Sequence, residues 1–180
     1  MISVLIFFVV VIFILVAIRP SEIVSRWHHF FDEAQYSSEE FYRVMTESIE
    51  KRKIPNSKSW RIKFFESTII SAQREYLRVS NVVYLFDICA APYATGFFVS
   101  WWLRESKSLA ELAFERIFRA NVRKTYYQMD SQTMFQDAVH QAVLESIEAM
   151  TSTKGVRGLT ELERQITFNP KLTFQVKPPQ

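Results

Sequence analysis

Residues 82–103 read VVYLFDICAAPYATGFFVSWWL, two apolar runs joined by a bend that holds Pro92 and Gly96. Each run is short and rich in β-branched and aromatic residues, so residues 82–90 and 96–103 are predicted as two strands of a hairpin turning through residues 91–95. Alternation puts Val82, Tyr84, Phe86, Ile88 and Ala90 on one face and Val83, Leu85, Asp87 and Cys89 on the other. In the second run Phe97, Val99 and Trp101 oppose Phe98, Ser100 and Trp102. Strands apolar on both faces are normally covered on both. Either helices flank both sides, or one face meets a partner, a ligand or the bilayer.

Working outward, residues 75–79 make a further strand, tied to the hairpin by Ser80 and Asn81, and residues 60–64 another, where Trp60, Ile62 and Phe64 alternate with Arg61 and Lys63. Short connections predict an antiparallel four-stranded meander. Helices are predicted around it. Ser37 and Glu40 form a capping box for a helix over residues 37–52 whose Phe41, Val44, Met45 and Ile49 share a face, and Pro55 enforces its end. Residues 108–124 show a second wide apolar face, from Leu109 to Ala120. Residues 125–129 are β-prone. Asp130 or Ser131 then caps a long helix with Phe135, Val139, Ala142, Val143 and Ile147 inward, and Gly155 stops it. Thr160 and Glu163 suggest one more capped turn, and residues 169–180 a loose tail able to pair at a sheet edge.

Residues 1–18, MISVLIFFVVVIFILVAI, contain no charge and only Ser3 as a polar side chain. As a helix they cover roughly 27 Å, close to the ~30 Å hydrocarbon core, and no cleavage pattern follows. They are predicted as an uncleaved transmembrane anchor. Arg19 and Arg26 lie on its C-terminal side, which places the N-terminus out and the domain in the cytoplasm. Residues 19–36 hold Ile23, Val24, Trp27, Phe30 and Phe31 at helical spacing, a juxtamembrane helix lying at the headgroups or packed on the domain. The predicted architecture is therefore α+β, with an anchor at 1–18, a juxtamembrane segment at 19–36, a domain at 37–168 ordered α-β-β-β-β-α-(β)-α, and a tail at 169–180.

The side-chain chemistry is sparse. Cys89 is the single cysteine, which excludes an intrachain disulfide and a multi-cysteine metal cage. His28 and His29 cannot share a helical face, and the three glycines make no phosphate-cradling loop, so neither metal nor cofactor is expected. Asp87, between Leu85 and Cys89, loses hydration unless a cation such as Arg74 or Arg78 compensates; general acids are made in such surroundings. Cys89 and His140 could supply a nucleophile and its base, with Asp87 orienting the imidazole. The net charge of +3 is mild. Arg19, Arg26, Trp27, Lys51, Arg52, Lys53 and Lys58 are expected at an anionic membrane surface. Trp101 and Trp102 read as core, which ranks nucleic acid last among partners. The sequence thus points to a non-enzymatic interaction or scaffold module at the cytoplasmic membrane surface, contacting the bilayer through residues 1–18 and a protein partner or second copy through an apolar sheet face. The alternative is a small hydrolase or ligand-binding domain using Asp87, Cys89 and His140.

Overall fold

The computed structural model describes residues 21–65, 73–106, 124–155 and 157–168. Its elements are β1 (Ser21–Phe31), α1 (Ser38–Arg52), β2 (Lys58–Phe65), β3 (Gln73–Ser80), β4 (Tyr84–Tyr93), β5 (Gly96–Ser106), α2 (Tyr126–Lys154) and the two-residue β6 (Thr167–Phe168). The strands form one antiparallel sheet in the order β2-β3-β4-β5-β1-β6. The meander from β2 to β5 is extended by β1, the first strand in the chain, which lies along the outer edge of β5.

This corrects the juxtamembrane helix: residues 21–31 are a strand. A bulge between Ile23 and Ser25 shifts the pleat by one residue, so Val24, Trp27 and Phe31 are all buried at a spacing that mimics a helix. The span predicted over residues 1–18, with Arg19, lies outside the described residues. Among those residues no helix is long and apolar enough to cross a membrane. The longest, α2, has 29 residues, but Asp130, Asp137, Glu145 and Glu148 interrupt it. Among the described residues the membrane-anchored four-stranded meander is corrected to a six-stranded sheet with two helices, and the single-pass topology, the bilayer contact and the cytoplasmic membrane placement find no support in it. The helix predicted over residues 108–124 falls outside the described residues except for Lys124, as does the tail at 169–180.

Both helices cover one face of the sheet. Phe41, Tyr42, Met45 and Ile49 from α1 and Val139, Ala142, Val143 and Ile147 from α2 pack on Phe86, Ile88, Phe97, Val99, Trp101 and Leu103. The α1 cap is Ser37, whose hydroxyl accepts from Glu40 N–H, and Lys53 ends the helix in a left-handed conformation. In α2 the start differs from expectation. Thr125 forms the capping box with Gln128, so the β-prone residues 125–129 are the first turn of the helix.

Tyr42 ties α1 into the sheet itself. Its hydroxyl donates to Glu75 O and accepts from Ala90 N–H, each at 2.9 Å. The β3–β4 ladder runs from Ser80↔Leu85 to Leu77↔Ile88, and by the same register Tyr76 and Cys89, then Glu75 and Ala90, would face each other beyond it. The hydroxyl therefore bridges two backbone groups at the point where the strands part. Arg61 lies over the ring at 4.0 Å.

Candidate functional site: the open face of the sheet

The face turned away from α1 and α2 is fixed by register. Ile23, Arg26, His28 and Phe30 of β1 share it with Phe98, Ser100, Trp102 and Arg104 of β5, Leu85, Asp87 and Cys89 of β4, Arg74, Tyr76 and Arg78 of β3, and Lys58, Trp60, Ile62 and Phe64 of β2. Among the described residues no helix packs on it. Phe30, Trp60 and Phe64 each keep 40% or more of their surface exposed.

Asp87 sits at the centre of this face, 4% exposed. Arg78 on β3 grips it with two bonds, Nε to Oδ1 at 2.6 Å and Nη2 to Oδ2 at 3.0 Å, and Arg104 on β5 donates to Oδ2 from the other side. One carboxylate thus locks two guanidinium groups, a planar fork geometry suited to arginine. The same arginine, Arg78, lies over the Phe64 ring at 5.7 Å, and Arg26 lies over Trp102 at 5.6 Å. The pairing of Asp87 with Arg78 is one the sequence anticipated. Arg104 was not foreseen, because its partnership depends on β4 and β5 placing Leu85 opposite Arg104 one pleat away from Asp87.

Cys89 is on the same face as Asp87 and is buried, next to Tyr76 and Arg74. Burial pushes its thiol above the ordinary range, against the opposing pull of the Arg74 charge and the Tyr76 hydrogen bond. A thiol so held is a poor nucleophile at neutral pH. His140 lies on the other side of the sheet. Trp101 Nε1–H donates to its Nδ1 at 3.0 Å, and since indole nitrogen is only a donor, the proton is on Nε2, which donates to Arg164 O at 2.9 Å. Trp101 belongs to the helix-covered face. The sheet stands between His140 and the Asp87–Cys89 pair, so the hydrolase or ligand site drawn from these three residues is corrected: they do not assemble.

The basic residues predicted for a membrane surface are also dispersed. Trp27 is buried on the helix side, donating to Glu163 O at 2.8 Å. Lys51, Arg52 and Lys53 end α1, where Arg52 pairs with Glu145 of α2 at 2.5 Å. Of the described members of that set, only Arg26 and Lys58 reach the open face, at its two ends. The tryptophan pair divides in the same way: Trp101 is core, and Trp102 is half-buried on the open face. No group of three or more His, Cys, Asp or Glu among the described residues could hold a metal ion. The face is not simply apolar, as a protein-docking sheet was expected to be; it interleaves rings with cations. Compared with known proteins, the chain matches no family model and no curated protein sequence.

Proposed function

We propose that the protein is a binding domain whose open sheet face captures an anionic ligand. One observation carries this reading: among the described residues that face holds Arg26, Lys58, Arg74 and Arg78 against Asp87. Four cations and one anion leave three positive charges on a patch of a molecule whose total is +3, so the rest of the chain is close to neutral. Such an asymmetry concentrates potential on one surface and steers anions there. Asp87 supports the reading too, since it holds Arg78 and Arg104 in place.

Elution from heparin tests it. Replacing Arg26, Lys58 and Arg74 by Ala should lower the salt needed to release the protein, whereas replacing Arg43, Lys51 and Lys63, which lie off this face, should change it little although the net charge falls equally. Equal effects of the two triple variants would mean that charge total alone governs retention, and would overturn the site.

A further inference from the structure

We infer that the anionic ligand is a single-stranded nucleic acid, whose phosphates meet the arginines while its bases stack on the exposed rings; this rests on the anion-binding reading above and deepens it. The argument is the interleaving of the two kinds of side chain. Phe64 and Trp60 stand on β2 beside Arg74 and Arg78 of β3, and Trp102 stands on β5 beside Arg26 of β1. Each cluster pairs an aromatic plane with a guanidinium, the combination on which unstacked bases and their phosphates are held.

The alternatives use half of this surface. An acidic peptide would engage the cations and leave the ring faces of Trp60, Phe64 and Phe30 without a matching partner. A double helix would offer phosphates, but its bases are already stacked on one another. Only a single strand supplies both. Dimensions agree: Trp60 and Phe64 are four residues apart, roughly 13 Å along the strand. A short single strand of the ~4–16 nucleotides typical of such grooves covers that length.

The test measures fluorescence anisotropy of a labelled dT 12-mer and a U 12-mer with the full chain, beside a 12-base-pair duplex and polyglutamate. The single strands should bind in preference to both. Trp60→Ala and Phe64→Ala, at exposed positions, should each weaken single-strand binding by about five- to a hundred-fold with the circular dichroism spectrum unchanged. The affinity should fall with salt, and Arg74→Ala should make the slope of log K against log salt shallower by roughly 0.7, the loss of one phosphate contact. If duplex or polyglutamate binds as tightly, or ring removal has no effect while Arg74→Ala still weakens binding, the nucleic-acid inference is wrong and the anion-binding face stands. If no polyanion binds even at low salt, both are wrong. Should Trp60→Ala alter the fold, Phe64→Ser and Arg74→Glu read out the same two contributions.

Discussion

Asp87 is the residue on which stability and binding pull in opposite directions. Its carboxylate neutralises one of the two guanidinium groups it holds, and its side chain is nearly inaccessible while Arg78 and Arg104 are about one-fifth exposed. Asp87→Asn keeps the shape but removes the charge that holds Arg78 and Arg104. Breaking a buried pair in this way costs ~3–5 kcal/mol, and the partial exposure of the arginines points to the lower figure. The same change adds a positive charge to the open face. We therefore expect a lower urea midpoint together with tighter heparin retention, both measured on the same preparation. Weakened retention in a folded variant would instead place Asp87 among the groups that touch the ligand.

At the scale of elements, what could be read from the sequence followed from local chemistry. The β4–β5 hairpin was legible because β-branched and aromatic residues alternate in both runs, although the bend expected over residues 91–95 shrinks to Ala94 and Thr95, with Pro92 inside β4 opposite Phe97; α1 was legible because Ser37 and Glu40 announce it. β1 was not, since its bulge at Val24 brings Trp27 and Phe31 inward at intervals that suit a helix equally well. The long helix was set to begin too late. Thr125 caps it through Gln128, and its buried polar row of Gln132, Gln136 and His140, four residues apart, is invisible to a search for apolar periodicity. Ser25 of β1 donates to Gln136 at 2.7 Å, a contact that depends on sheet order and not on spacing. The open face was half legible: its apolar alternation was seen, but the arginines converge there only once β1 lies beside β5. That junction depends on Gly96. A Cβ there would stand 2.4 Å from both the Phe30 ring and the Phe31 carbonyl oxygen. Because the oxygen is backbone, β1 must shift from β5, and Gly96→Ala should destabilise the protein by about 2–3 kcal/mol or more. Urea unfolding measures this, and a loss below ~0.5 kcal/mol would show that β1 is not held against the turn as described.

Across the whole molecule, the segment 157–168 closes the side of the core that the sheet and α2 leave open. Trp27 donates to Glu163 O, His140 donates to Arg164 O, and Arg164 pairs with Glu148 of α2 at 2.6 Å. Glu163 folds the segment on itself: bonds from Thr160 N–H, Arg157 and the Thr160 hydroxyl hold its carboxyl down to about 2. His140 is the acid-sensitive point of this closure. Burial lowers its affinity for a proton, partly offset by the Arg164 carbonyl and the Asp137 charge, while the Arg164 charge adds to the lowering. A proton on Nδ1 would face the Trp101 N–H, two donors without an acceptor between them. His29, stacked near Trp27, is lowered by burial as well, with Glu163 opposing and Arg157 and His28 adding to the effect. Both groups thus bind protons more weakly folded than unfolded. Above their unfolded pKa near 6.5 both states are neutral and the stability is complete; as pH falls below it the unfolded chain takes up protons first, and stability declines until the folded-state pKa values are passed. The urea midpoint should therefore fall between about pH 6.5 and pH 5. His140→Gln should reduce that slope and His29→Gln/His140→Gln should reduce it further, with hydrogen exchange in residues 157–168 accelerating over the same interval in the unsubstituted protein. A midpoint that declines equally steeply in the double variant would assign the acid sensitivity to other groups and remove His140 from the closure.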